Sequence, residues 1–230
     1  MIPLKDNIPS KHFPAVNVGI ILTCVIVYIA QFSNGGGQEW AFAPEMLIPW
    51  RGPGIGAAVG ALFLSMFMHG GIMHILGNML FLWVFGDNIE DRMGHVKYLI
   101  FYLTCGVIAT LAHSLLALVT GTAHMSLVGA SGAIAGVLGA YLVLFRQARV
   151  RTLVILIFFI TVIDLPAAFF LVYWFIIQVL SIGAATNVAY LAHIGGFAAG
   201  FVLVRVFADT SKPRPPQIPP PPRVTNLRIE

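Results

Sequence analysis

The stretch "HMSLVGASGAIAGVLGAYLVLF" (124–145) decides the fold class and raises the question of function. It is an apolar run long enough to enter a bilayer as a helix. Ser131 stands at its head, between Gly129 and Gly132. A serine in this position has two interpretations: a small residue for helix packing, or a nucleophile. The rest of the chain decides between them.

The composition is that of an integral membrane protein. Of 230 residues, 58% are hydrophobic and only 10% are charged, and the mean hydropathy is +0.89. Such a chain is too apolar for a soluble domain. The net charge of +4 comes from short basic clusters between apolar runs, which is typical of topology signals and speaks against nucleic acid as a partner. Cys24 and Cys105 lie inside apolar runs and indicate small core residues.

The apolar runs predict an all-α membrane protein with six transmembrane helices. A span needs about 20 apolar residues. The stretch 152–163 precedes Pro166, contains no charge and is interpreted as an interfacial or re-entrant segment. The six predicted spans lie near 16–33, 70–86, 96–118, 128–145, 165–182 and 188–207.

Lys and Arg define the orientation. A cytoplasmic N-terminus puts twelve of the thirteen basic residues inside and leaves only Arg51 outside, as the positive-inside rule requires. We therefore expect a cytoplasmic segment at 1–15, a multi-pass membrane domain at 16–207 and a cytoplasmic tail at 208–230. The expected location is a prokaryotic inner or plasma membrane.

Two connecting regions have unusual compositions. The first loop, 34–65, is rich in Trp, Phe, Met, Gly and Pro with few charges. We expect it to lie on, and partly in, the outer leaflet. The tail holds seven of the fourteen prolines, which predicts an extended or disordered spacer. A partner that binds P-x-x-P motifs is the alternative for the tail.

Four polar residues inside the predicted spans are candidates for function, because polar groups are costly in a bilayer. His74 and Asn78 are four residues apart and share one helix face. Ser131 heads the fourth span and His193 lies in the first turns of the sixth. The second, fourth and sixth spans all begin at the outer side. The four side chains are therefore expected at a similar depth near the outer surface.

The residue types at this depth suit acyl transfer. A serine hydroxyl needs an adjacent base, and histidine is the usual one. We therefore predict Ser131 as the nucleophile and His193 as the general base. The oxyanion is assigned to Asn78, His74 and the Ser131 N–H, with Gly129 allowing the sharp turn beside it.

Small residues predict how the fourth and sixth helices approach each other. Gly132, Gly136 and Ala140 repeat every four residues on one helix, and Gly196 and Gly200 do so on the other. Such faces let membrane helices pack closely.

Three motifs together resemble the rhomboid family of intramembrane serine proteases. They are "HGGIMHILGNMLFLWVFGDNIEDRMG" (69–94), "GASG" (129–132) and "AHIGGFAAG" (192–200). The resemblance implies a six-helix bundle that cleaves transmembrane protein substrates in the lipid bilayer, with no metal and no cofactor. In that pattern Ser131 matches the nucleophile and His193 the base. His74 and Asn78 match the oxyanion residues, and "EDRMG" (90–94) matches a structural motif.

The chain departs from the family pattern at two places. The only Trp-Arg pair, Trp50-Arg51, lies well upstream of the second helix. Ala135 stands where some members have a Tyr that stacks on the base, and Tyr190 is a candidate substitute. The only acid near a span outside the loops is Asp164, on the inner side, so a Ser-His dyad is expected.

Other protein classes fit less well. A zinc protease would need H-E-x-x-H, which the sequence lacks, and an aspartyl protease would need two membrane acids. The alternative is a catalytically silent relative that binds and escorts membrane helices, but such proteins typically lack the serine or the histidine. Of the remaining histidines, only His69 is a candidate to line the site. We expect His113 near the outer end of the third helix and the others in loops or at the interface: His12, His95 and His124.

Overall fold

The computed structural model describes residues 1–33, 35, 40–156, 159–184 and 188–209. Within these ranges the chain forms seven α-helices and three β-strands. A 3-10 turn at Pro44–Leu47 precedes the second helix. The helices are α1 (Ala15–Ser33), α2 (Ile55–Ser65), α3 (Ile72–Met93), α4 (His95–Thr120), α5 (Ser131–Phe145), α6 (Ala167–Leu180) and α7 (Tyr190–Phe207). The strands are β1 (Ile2–Asp6), β2 (Arg149–Leu156) and β3 (Phe159–Pro166).

Four helices have the length and hydropathy needed to cross a membrane, namely α1, α3, α4 and α7. The molecule is therefore an integral membrane protein. Helices α5 and α6 have 15 and 14 residues. At 1.5 Å per residue they reach only about 22 Å, against a hydrocarbon core of about 30 Å. The predicted count of six spans thus depends on two short helices and stays a prediction.

Helix α3 continues past the predicted end at residue 86 to Met93. Its last two turns are polar but buried, and Glu90 is only 2% exposed. The Glu90 carboxylate accepts hydrogen bonds from the backbone N–H groups of Val16 (2.9 Å) and Asn17 (2.7 Å). A helix N-terminus has unpaired N–H groups and a partial positive charge. Glu90 therefore fastens α1 to the end of α3, which explains the extra turns.

The centre of the bundle is α5. Ten consecutive residues, Gly132–Tyr141, are buried, and α7 packs along this helix. The backbones nearly touch: a Cβ on Gly196 would stand 1.9 Å from the Gly132 carbonyl oxygen, and one on Gly200 would stand 1.8 Å from the Gly136 carbonyl oxygen. Glycine is the only residue type that allows this approach, so the spacing of small residues on the two helices has a direct structural counterpart.

The expectation of an all-α fold is wrong in one respect: the chain also contains a three-stranded antiparallel sheet in the order β1-β2-β3. The segment 152–163 is interpreted from sequence as interfacial or re-entrant; its described residues, 152–156 and 159–163, belong to β2 and β3, with Thr152 paired to Ile163, and residues 157 and 158 lie outside the described part of the chain. Ile, Val, Thr and Phe dominate this segment and favour strands. The N-terminal segment supplies the third strand, where Ile2 pairs with Leu153.

The first loop contains α2 and the 3-10 turn, with Trp50 and Ile55 largely exposed. Its partial embedding in the outer leaflet stays a prediction. Residues 34 and 36–39 of this loop lie outside the described part of the chain. The same holds for 210–230, so the predictions for the Pro-rich tail fall almost wholly outside it.

Candidate active site

Ser131 is the first residue of α5 and is half-buried. The loop before it is held by the first loop of the chain. Leu127 N–H donates to the Phe42 carbonyl (2.7 Å), and Gly129 N–H donates to the Ser65 carbonyl (2.9 Å). Gly129 has a φ of +134°, which L-residues with a side chain rarely adopt. The chain therefore needs a glycine to turn into α5 at this point.

His193 lies in the first turn of α7 and faces Ser131. Its Nε2 is 2.8 Å from the Ser131 Oγ, a hydrogen-bonding distance. The two residues are 62 positions apart in sequence. The contact exists because glycine lets α5 and α7 pack backbone against backbone directly below it.

His74 lies close to the same point from α3. Gly70 N–H donates to the His74 Nδ1 (3.4 Å), so in the neutral ring the hydrogen is on Nε2. A Cβ on Gly129 would be 3.0 Å from that Nε2 and 3.4 Å from the Ser131 Oγ. His74 and Ser131 thus border one small space, which stays open because Gly129 has no side chain.

The Gly129 N–H is already bonded to the Ser65 carbonyl. Gly129 therefore leaves space beside Ser131 but offers no free hydrogen-bond donor there.

Asn78 lies one turn after His74 and is 9% exposed. Within the described part of the chain its Nδ2 is buried without a hydrogen-bond partner. A buried amide donor without a partner is destabilising, by roughly 1–3 kcal/mol, and therefore calls for an explanation.

Sequence reasoning missed the group that contacts the other nitrogen of His193. The Gln178 Oε1 on α6 is 2.7 Å from His193 Nδ1, and Gln178 is 7% exposed. A signal was present, because Gln178 is the only polar side chain in the apolar run "WFIIQVL" (174–180). A polar residue inside a membrane helix is a candidate functional residue by default.

Aromatic rings cover His193 on two sides. The Trp174 ring lies 5.8 Å from the imidazole at 36°, and the Tyr190 ring lies 6.4 Å away at 89°. Tyr190, the suggested substitute for a tyrosine at position 135, therefore meets His193 edge-on. Ala135 itself is fully buried inside α5.

Of the remaining histidines, one borders the site and two make contacts elsewhere in the fold. His69 is 2% exposed and its ring packs edge-on against His74, with centroids 5.3 Å apart, so it borders the site. His12 contacts Asp91 and His95 contacts Glu90, both remote from Ser131 in the fold. Among the described residues, no group of three or more His, Cys, Asp or Glu is arranged to hold a metal ion.

Comparison with known proteins gives the family. Residues 50–210 match the profile described as the Rhomboid domain. The chain belongs to the rhomboid family.

Similar proteins include RHOMBOID-like protein 1 of Arabidopsis thaliana, 35% identical over 150 residues, which are 65% of this chain and 34% of that protein. The rhomboid protease GluP of Bacillus subtilis (strain 168) is 31% identical over 61% of this chain and 24% of its own length. The putative rhomboid protease YdcA of the same strain is 29% identical over 68% of this chain and 75% of its own length. The matched region thus spans about a third or less of the first two relatives.

The relatives come from bacteria, a plant and animals. The comparisons therefore do not support the predicted prokaryotic membrane over a eukaryotic one.

Proposed function

We propose that this chain is a serine endopeptidase that hydrolyses peptide bonds in or near the transmembrane segments of membrane proteins. The observation that carries the proposal is the 2.8 Å contact between Ser131 Oγ and His193 Nε2. Of the similar proteins, GluP is named as a rhomboid protease and YdcA as a putative rhomboid protease, and this supports the same reaction class.

The proposed reaction is acyl transfer through Ser131. As its Oγ forms a bond to the substrate carbonyl carbon, its proton passes to His193 Nε2. The C–N bond then breaks, and His193 returns the proton to the leaving nitrogen. A water molecule next gives a proton to His193 and attacks the acyl group. As the ester C–O bond breaks, His193 passes that proton to the Ser131 oxygen, and both residues return to their resting states.

The proposed oxyanion site is the space beside Gly129. Three donors suit it: the His74 Nε2–H, the Asn78 amide and the backbone N–H of Ser131 at the start of α5. Preorganised donors in a site of low dielectric stabilise a developing oxyanion strongly. The Asn78 Nδ2, which has no hydrogen-bond partner among the described residues, supports this assignment, since a donor kept for the transition state needs no partner in the resting protein.

The proposed membrane arrangement has six spans, α1 and α3 to α7, with both termini cytoplasmic and α2 at the outer leaflet. Helix α5 is short, so its first residue, Ser131, would lie below the outer surface. A substrate helix must unwind there to expose a carbonyl, because a closed helix hides its backbone groups. The lipid bilayer and transmembrane protein substrates are thus the proposed partners. A P-x-x-P partner for the tail at 208–230 stays a prediction.

The test is covalent labelling of the purified protein in liposomes by a fluorophosphonate carrying a fluorophore. We expect labelling of the wild type and none of Ser131→Ala. The matched control is Ser126→Ala, which removes an exposed serine five residues upstream and should label like the wild type. His193→Ala should lose labelling, whereas His124→Ala, at an exposed loop position, should keep it.

A second measurement connects the label to proteolysis. A panel of single-span membrane proteins is incubated with wild type and Ser131→Ala, and the fragments are compared by mass spectrometry. Fragments that appear only with the wild type support the proposal. A folded wild type that neither labels nor cleaves would instead indicate the catalytically silent protein that binds membrane helices.

A further inference from the structure

We propose that Gln178 is a positioning residue that fixes the tautomer and orientation of His193, and so completes a Ser131–His193–Gln178 relay. This inference rests on the proposed function for its catalytic consequence. Its structural part, the state of the His193 ring, does not depend on whether the protein cleaves peptides.

The contacts form a continuous chain across three helices. Ser131 on α5 is 2.8 Å from His193 Nε2 on α7, and His193 Nδ1 is 2.7 Å from the Gln178 Oε1 on α6. Both distances are those of ordinary hydrogen bonds. Each ring nitrogen of His193 therefore has one side-chain partner, and the ring is held from both edges.

The orientation of the Gln178 amide follows from its other contact. Its Nε2 donates to the Trp174 carbonyl one turn earlier on α6, at 3.1 Å. A carbonyl oxygen can only accept, so the NH₂ group must face Trp174 and the Oε1 must face His193. An amide placed the other way round would set two acceptors against each other at Trp174.

The tautomer of His193 follows in turn. Since the Gln178 oxygen can only accept, His193 Nδ1 must carry the hydrogen. In the neutral ring Nε2 then has a free lone pair, directed at the Ser131 hydroxyl. That is the state a general base needs, because the other tautomer would present an N–H to the hydroxyl and could not remove its proton.

An uncharged amide suits this location better than the carboxylate of soluble serine proteases. Gln178 is buried on a short apolar helix, where an isolated carboxylate would be strongly destabilised by the loss of hydration. The titratable groups that interact electrostatically with His193 from other elements are His74 on α3 and His113 on α4. Neither could balance a carboxylate while neutral. The Gln178 oxygen still places a partial negative charge beside Nδ1 when His193 takes the serine proton.

The contact with Gln178 also explains how His193 is oriented although position 135 is Ala. The Trp174 ring packs on the imidazole at 5.8 Å, and the same residue supplies the carbonyl that holds Gln178. One turn of α6 therefore provides both the ring that covers the base and the amide that sets its tautomer.

The activity test compares Gln178→Leu, Gln178→Glu and the control Gln147→Leu, which changes an exposed glutamine beyond the far end of α5. We expect Gln178→Leu to lower kcat for a transmembrane substrate by about 10- to 100-fold with KM within about twofold. This is less than the ~10⁴-fold seen when a triad tautomer is inverted. Gln178→Glu should restore part of kcat, because its carboxyl group still offers an oxygen that can accept from His193 Nδ1–H. Gln147→Leu should behave like the wild type.

Three results would overturn the activity part. They are an unchanged kcat in Gln178→Leu, a loss confined to KM, or a Gln178→Glu variant that is no more active than Gln178→Leu. Thermal unfolding of each variant in detergent is measured alongside, and the comparison uses only temperatures at which the variant is folded.

The structural part is tested in Ser131→Ala, where catalysis is absent by design. Solid-state NMR of ¹⁵N-histidine-labelled protein in lipid, with His193→Ala used to assign the signal, reports which ring nitrogen carries hydrogen. We expect a protonated Nδ1 and a bare Nε2 in Ser131→Ala, and a mixture of tautomers when Gln178→Leu is added. An unchanged ring state in the double variant would overturn the assignment of Gln178. A wild type that shows the expected ring state but never cleaves would leave this assignment standing and overturn the proposed protease function.

Discussion

Gly196 on α7 lies against the Gly132 carbonyl on α5 so closely that a Cβ would stand 1.9 Å from that oxygen. No side-chain rotation relieves such an overlap, because both partners are backbone. The helices would have to separate, and the 2.8 Å contact between Ser131 and His193 one turn away would lengthen with them.

Gly196→Ala is therefore expected to destabilise the protein by about 2 kcal/mol or more and to abolish fluorophosphonate labelling. The control is Gly19→Ala on α1, where an added Cβ meets no described residue within 4 Å. That change should stabilise by about 0.5–1 kcal/mol, because alanine is the better helix former. Thermal unfolding in detergent checks both, and equal unfolding temperatures for the two variants would contradict the packing argument.

Gly129→Ala is expected to block the site as well as strain the backbone. At a φ of +134° a side chain costs about 1–2 kcal/mol, and the new Cβ would lie 2.9 Å from the His74 Cε1. We expect a loss of labelling of at least about 100-fold, comparable to removal of an oxyanion donor. Labelling rates at several probe concentrations measure it.

The control for this change is Gly121→Ala, at the end of α4. Gly121 also has a positive φ, +74°, but an added Cβ there has no neighbour within 4 Å in the part of the chain that the structure describes. This variant should lose similar stability and keep its labelling rate. If both variants lose labelling equally, backbone strain and not occupation of the site explains the effect.

The sequence predicted the long helices well because the length and hydropathy of an apolar run are sufficient to identify them. The spans predicted at 16–33 and 96–118 appear as α1 and α4 within two residues at each end. The same reasoning did not predict the strands at 152–156 and 159–163, because a short apolar run does not by itself distinguish a strand from a helix. Its pairing partner, β1, lies about 150 residues earlier in the chain.

For the candidate site, the sequence supplied the residues but not their contacts. Ser131, His193 and His74 could be placed at one end of the bundle from topology alone. The contact of Gln178 with His193 Nδ1 could not, because it depends on the rotation of α6 and on the Trp174 carbonyl. Hydropathy defines a span but not which of its faces meets the bundle.

Glu90→Ala is expected to loosen α1. The carboxylate accepts from two N–H groups at the start of α1 and contacts His95, so its loss leaves buried donors unpaired. We expect Glu90→Ala to lower the free energy of unfolding by about 2–3 kcal/mol. Glu90→Gln keeps one carbonyl oxygen as an acceptor, so its stability should lie between those of the wild type and Glu90→Ala. The control Asp164→Ala breaks a partly exposed pair with Arg151 and should cost less than about 1 kcal/mol. Unfolding measurements that rank Asp164→Ala as the worse change would refute this.

Asp6 is expected to make stability depend on pH. It ends β1, accepts from Asn88 Nδ2 (2.9 Å) and from the Tyr141 hydroxyl, and lies near Asp87. Burial raises its pKa from 3.8 to about 7; the Tyr141 hydrogen bond opposes this rise and the Asp87 charge adds to it. Between about pH 4 and pH 7 the folded state therefore holds a proton that the unfolded state has released. The free energy of unfolding should fall as pH rises through that window and become level above about pH 7.

Asp6→Asn removes this titration while keeping an oxygen for Tyr141. The variant should gain unfolding temperature relative to the wild type as pH increases from 5 to 8, with the largest gain at pH 8. Asp164→Asn, which removes a carboxylate from β3 of the same sheet, should leave the wild-type pH dependence in place. Unfolding temperatures across this range in detergent check both variants. If the wild type and Asp6→Asn change in parallel with pH, then Asp6 is not the titrating group, because its proton is the only one the substitution removes.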